Sequence, residues 1–195
     1  MHPSPRLYLT GASCAGVSTL GAALKDTCQV PQIDVDDFYW LPTDPPFTCK
    51  RPPEDRLRLI AQEQARAEGR AEGRTEGWVL TGSFDGWGDA LIAKVDVIIF
   101  VDTPTPIRLA RLEAREAQRH GARIAQGGDM HAAHLAFRDW AARYDDPAFT
   151  GRNRARHLRW LAQQTAPVCH LDGSRPLEDL RDAVLARLAR DSGQR

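Results

Sequence analysis

Lysine is scarce in this chain of 195 residues: Lys25, Lys50 and Lys94 are the only ones, and arginine supplies nearly all the basic charge. An excess of either charge is also lacking. With 26 basic against 26 acidic residues, the composition argues against a nucleic-acid-binding protein or one held at a membrane surface. No apolar run approaches the roughly eighteen residues of a membrane-spanning helix; the longest, Val95 to Val101, is interrupted by Asp96. The cysteines, at positions 14, 28, 49 and 169, show no CxxC spacing, so cysteine-based metal and disulfide-exchange motifs are excluded. The apolar segment of a secretory signal is missing too, since only Leu7–Leu9 precedes a glycine loop. The expectation is a cytoplasmic protein with reduced thiols. The length suits a single domain over residues 1–195 that buries its own core.

What is present is organised around Leu7 to Leu24. Three β-prone residues, Leu7, Tyr8 and Leu9, run into Gly11-Ala12-Ser13-Cys14-Ala15-Gly16, and a helical pattern with Leu20, Ala23 and Leu24 on one face follows. A strand, a glycine-bounded loop and a helix let backbone N–H groups gather around a phosphate at a helix N-terminus. The spacing G-x-x-x-x-G-x-S-T fits the P-loop pattern, with Ser18 where a magnesium-binding hydroxyl belongs and Thr19 beside it. The lysine position holds Val17. Losing that charge-assisted contact costs about 1.5–3 kcal/mol in binding and about 10²–10³ in rate where charge develops on phosphate oxygens. The backbone cradle does not depend on it.

Further along, Val30 to Ile33 predicts a second strand leading into Asp34-Val35-Asp36-Asp37-Phe38-Tyr39-Trp40, followed by a proline-rich excursion. Helix is expected from Glu54, and the near-repeat AEGR-AEGR-TEG reads as its solvated end. Trp78 to Thr81 is a third strand closed by Gly82 and Ser83, and the β-branched run Val95 to Val101 is a fourth, covered on both faces. Helices are expected over Pro104 to Arg119, around Phe137, Trp140, Ala141 and Tyr144, and near Asn153 to Gln164. A fifth strand at Pro167 to Leu171 and a helix over Leu177 to Leu188 close the chain. Alternating strands and helices predict a three-layer α/β/α fold with a five-stranded parallel sheet in the order 2-3-1-4-5. Ligands of such sheets bind at the carboxyl ends of the strands, where Gly11, Asp34, Asp36, Gly82, Ser83 and Asp102 converge. Asp34, Asp36 and Asp37 raise one another's pKa beside a phosphate site, which suits a base or an acceptor contact.

With these motifs the chain resembles the small-molecule and nucleoside monophosphate kinases of the adenylate kinase and shikimate kinase type, from the loop to the last strand. Asp34-x-Asp36 is similar to the D-x-D of shikimate kinases, and Asp36-x-Phe38-Tyr39 to the D-x-F-Y of uridine kinase-like enzymes. The resemblance implies Mg-ATP as phosphoryl donor, with the loop from Gly11 to Thr19 on the phosphates and Ser18 on Mg2+. It implies Asp36 as base, and Asp34, Arg51, Gly82 and Ser83 around a small-molecule or nucleotide acceptor. Pro104 is followed by Arg111 and Arg115 at the interval adenylate kinases use for an adenine and a phosphate contact, with Arg108 and Arg119 extending the ridge. The acceptor side would be the excursion at about 38–76, and a lid-like segment would occupy about 119–156. Arg152 and Arg154 in that segment, or Arg115, would supply the charge that Val17 does not. Thr81 stands where adenylate kinases carry an aspartate, leaving Asp85 or Asp102 to orient metal-bound water. Phe137, Trp140 and Tyr144 are expected to pack, and His131 and His134 to be exposed without a metal. Two functions stand open: a phosphotransferase, or a nucleotide-binding protein that lost turnover with its lysine and serves as a sensor or partner-binding module. Simple ATP hydrolysis is the weaker third, given the aspartate pair.

Overall fold

In a computed structural model, which describes residues 5–69, 77–84 and 86–192, five strands form one parallel sheet. They are β1 (Arg6–Gly11), β2 (Gln32–Asp34), β3 (Trp78–Thr81), β4 (Val97–Asp102) and β5 (Val168–Asp172). The spatial order β2-β3-β1-β4-β5 is the order expected from the alternation of elements. The helices are α1 (Val17–Cys28), α2 (Val35–Tyr39), α3 (Pro53–Glu68), α4 (Thr105–His120), α5 (His131–Ala142), α6 (Arg154–Leu161) and α7 (Leu177–Ser192). The second half of the AEGR repeat, the end of the excursion at about 38–76 (residues 70–76) and Asp85 lie outside the described residues.

Side-chain alternation along the strands builds two cores. Leu7, Leu9, Val97, Ile99 and Val101 face Leu20 and Leu24 of α1 and Leu180 and Val184 of α7. Tyr8, Leu80, Ile98 and Phe100 face Ile60 of α3 and Leu161 of α6. With both faces covered, the central strands can be continuously apolar, which is why β4 was the plainest strand in the sequence.

Several boundaries differ from expectation by a few residues, and three of the differences have a plain local reason. Pro31 has no N–H to donate, so β2 starts after it and runs to Asp34, which pairs with Thr81. Val95 belongs to a turn closed by its N–H on Ile92 O, and the Asp96 carboxylate accepts from Arg6 N at 2.8 Å, so β4 begins at Val97. Tyr144 lies in a 3₁₀ turn, Arg143–Asp145, rather than on α5. Short α2 was not foreseen. Asp34 caps it by accepting from Asp36 N at 3.0 Å. Among the described residues no helix is long and apolar enough to cross a membrane.

Candidate active site

The loop between β1 and α1 curls as its small residues permit. Cys14 (φ 61°) and Gly16 (φ 101°) are left-handed on either side of Ala15, a backbone alternation that turns successive N–H groups toward one concavity. No side chain caps α1 and its first turn carries no acid, so the positive end of the helix is left for an anion. Gly11 is required for a different reason from the one its motif suggests. A Cβ there would stand 2.6 Å from Val101 O, so the glycine allows β1 and β4 to approach. Val17 is buried in the core with Leu7 and Leu9 and does not face the concavity.

The arginine ridge of α4 divides. Arg108 is buried, donating from Nε to Thr103 O (3.0 Å) and from Nη1 to Ala141 O (3.2 Å) and Ser13 O (3.4 Å). Arg111 donates to Ala15 O (3.2 Å) and Gly173 O (3.1 Å), while Thr103 Oγ1 also donates to Ala15 O (2.9 Å). Both arginines therefore grip the outside of the loop. Arg115, half-buried, touches Glu116 Oε1 at 3.3 Å, and its buried Nε has no hydrogen-bond partner. Its charge acts on both Cys14 and Asp36. Arg119 is exposed.

Ser18 Oγ donates to Asp34 Oδ2 at 2.7 Å, and Thr81 Oγ1 donates to the same oxygen at 3.1 Å. Gln32 Nε2 braces the pair from behind through Ser18 O (3.0 Å) and Thr81 Oγ1 (3.2 Å). Asp34 thus turns toward the loop hydroxyl. Asp34 and Thr81 are paired in the β2–β3 register, which brings this carboxylate to the end of β3. Asp102 is engaged by Arg154, and Asp85 is outside the described residues.

Asp36 opens onto the cleft beside Asp34. Much of the residue is accessible, yet its carboxyl pKa is raised, first by lost hydration within the cleft and then by the Asp34 charge, against the opposing pull of Arg152 and Arg115. Arg152 is half-buried with its guanidinium 5.1 Å from the centre of the Trp140 ring. It also borders a cavity of about 190 Å³ whose lining includes Tyr8, Ser83, Phe84, His157 and Trp160. Gly82 joins the two regions. It is left-handed (φ 127°), its carbonyl accepts from Tyr8 OH at 3.0 Å, and a Cβ would press on Val35 Cβ at 2.6 Å. Arg51 Nε donates to Phe38 O (3.0 Å), where it fixes the end of α2.

Phe137 and Trp140 stack at 6.0 Å. His131 and His134 are half-buried rather than exposed, with His131 Nδ1 2.9 Å from Ile124 O. Among the described residues no group of three or more His, Cys, Asp or Glu side chains could hold a metal by itself.

Sequence reasoning missed a buried polar chain beneath the loop. Thr10 Oγ1 lies 3.2 Å from His157 Nε2, and His157 Nδ1 lies 3.0 Å from Tyr144 OH. A neutral imidazole serves both contacts, donating from one nitrogen and accepting at the other. Burial first, and Arg152 second, lower the His157 pKa from 6.5 to about 4. The unfolded chain therefore binds a proton that the folded chain refuses. Stability should be full above about pH 6.5 and fall as pH drops toward 4, by on the order of 3 kcal/mol. Urea unfolding across that range measures it, and His157→Gln should flatten the slope.

No protein-family model matches the chain. Among solved structures, a sugar kinase from Janibacter sp. HTCC2649 matches with a TM-score of 0.54 at 16% identity, over 94% of each chain. A gluconokinase from Sinorhizobium meliloti 1021 matches with a TM-score of 0.53 at 18% identity, over 100% of this chain and 97% of its own. These likenesses establish the P-loop kinase fold. In sequence, the uncharacterized protein YqaC of Bacillus subtilis (strain 168) is 34% identical over 183 residues, 94% of this chain and 97% of YqaC. At that identity, over nearly the whole of both chains, this protein belongs to the same family as YqaC.

Proposed function

We propose that the protein is a phosphotransferase that moves the γ-phosphoryl group of Mg-ATP to a small acceptor. The observation that carries this reading is the Ser18–Asp34 contact of 2.7 Å at the start of α1, beside the uncapped loop. A hydroxyl and a carboxylate are the hard oxygen ligands Mg2+ takes, and one or two of them suffice when phosphates and water fill the remaining positions. When bound, the ion would neutralise phosphate charge and help align the transferred group.

The chain's own residues would do the rest. Backbone N–H groups from Ala12 to Thr19 would hold the phosphates, and Ser18 and Asp34 would hold the ion, so Asp34 serves the metal rather than the acceptor. Asp36 would take the proton of the acceptor hydroxyl as its oxygen bonds to phosphorus and the bond to the departing ADP breaks. A raised pKa makes Asp36 a stronger base than an ordinary carboxylate. Arg115 and Arg152, which both act on Asp36, would stabilise the moving charge. The cavity beside Ser83 and Gly82 would receive the acceptor.

Val17, turned into the core, favours the second reading, nucleotide binding without turnover. Measuring ADP release with Mg-ATP against a panel of nucleoside monophosphates and small hydroxylated acceptors separates the two. Release that depends on an acceptor supports the phosphotransferase. Saturable ATP binding with no release across the panel supports the sensor.

A further inference from the structure

We infer that Arg111, with Arg108 behind it, supplies from outside the loop the positive charge that the loop's own lysine position lacks. This inference rests on the proposal that the loop binds a nucleotide. Arg111 was a candidate for direct contact with nucleotide, yet it and Arg108 both donate to backbone carbonyls of the loop. Arg111 and Thr103 converge on Ala15 O, and Arg108 reaches Ser13 O. In a trans peptide the C=O and N–H point in opposite directions. A cation on Ala15 O therefore sits behind the peptide whose N–H belongs to Gly16, and one on Ser13 O sits behind the N–H of Cys14. Gly16 and Cys14 are the two left-handed residues that shape the concavity. A hydrogen bond from a charged donor polarises the peptide and strengthens the N–H on its far side.

Three further observations bear on the assignment. The Arg111 guanidinium lies 3.5 Å from where a Gly16 Cβ would stand, so the charge is against the loop itself. Arg111 is also tied to Gly173 O, at a position where a Cβ would collide with Thr103 Oγ1, so the turn after β5 holds the strut in place. Among the described residues no carboxylate pairs with Arg111, whereas Arg123, Arg138 and Arg154 all have one. Its charge is left to the loop. Arg111 is a positioning residue, acting on phosphate through the peptides it holds.

The test separates charge from packing. Arg111 is exposed, so Arg111→Gln is compatible with folding, and unfolding of the ligand-free variant checks that directly. Calorimetric titration with Mg-ATP should show affinity falling about tenfold in Arg111→Gln, the size of one lost charge-assisted contact. Arg111→Lys should recover part of that loss. Unchanged affinity in Arg111→Gln overturns the inference, as does a loss that is the same in Arg111→Lys, because a charge effect is partly kept by a second cation and a loss of the guanidinium's packing is not. Failure of the wild type itself to bind Mg-ATP would overturn the nucleotide reading and this inference with it.

Discussion

Asp36→Asn is expected to lower phosphoryl transfer by about 10²–10⁴-fold, the range a positioned general base contributes, while leaving Mg-ATP affinity nearly unchanged. Asparagine keeps the size and the first-turn position on α2 and loses only the basic oxygen. The pH profile carries the sign. Because the Asp36 pKa is raised, by lost hydration first and by Asp34 next, the wild-type rate should decline on acidification at a higher pH than an ordinary carboxylate would cause. Asp36→Asn should lack that limb. A carboxyl whose folded pKa is raised opposes folding once ionised, and the opposition is relieved as pH falls through the folded pKa. The variant should therefore be at least as stable as the wild type at neutral pH, so a lower unfolding midpoint would attribute the lost rate to misfolding. A full rate with Asn at 36 would assign the proton to another group.

Asp34→Asn should lower turnover by about 10²–10³-fold, as expected when one element of a transition-state charge clamp is removed. Its diagnostic is metal dependence. Asparagine can still accept from Asp36 N and so preserve the cap of α2, but it no longer presents a charged oxygen beside Ser18. Affinity for ATP without metal should hold, while the tightening that Mg2+ gives should shrink. Ser18→Ala should do much the same, and the double variant should be little worse than either single one, because two ligands of one ion do not act independently. If Asp34→Asn weakened acceptor binding and spared the metal response, the acceptor role implied by D-x-D would stand instead.

These assignments turn on features the sequence exposes unevenly. The β1 strand, the loop and β4 were legible because apolar runs, glycine and a helical period are local signals. The division of labour between Asp34 and Asp36 was not. They stand two residues apart, and only the change from strand to helix at Val35 turns one carboxylate to the loop and leaves the other on the cleft. That the Asp34 carboxylate meets Thr81 depends on the β2–β3 register, a long-range pairing no local pattern encodes. The α4 arginines show the same limit. Helical spacing put Arg108, Arg111 and Arg115 on one side of a helix correctly, but which meets a loop carbonyl and which faces the cleft depends on where the loop and the turn after β5 lie. Arg108 is buried because three carbonyls receive it, and no carbonyl is visible in a composition. His157 escaped notice because its partners, Thr10 and Tyr144, lie far from it or in a turn.

The central claim is that the Ser18–Asp34 end of a lysine-free loop binds a nucleotide together with its metal. Calorimetric titration of the wild type with ATP, with and without Mg2+, tests it most directly. Saturable binding that tightens when Mg2+ is present is the predicted result. Absence of binding under both conditions would contradict it and leave the loop as a structural turn of the fold.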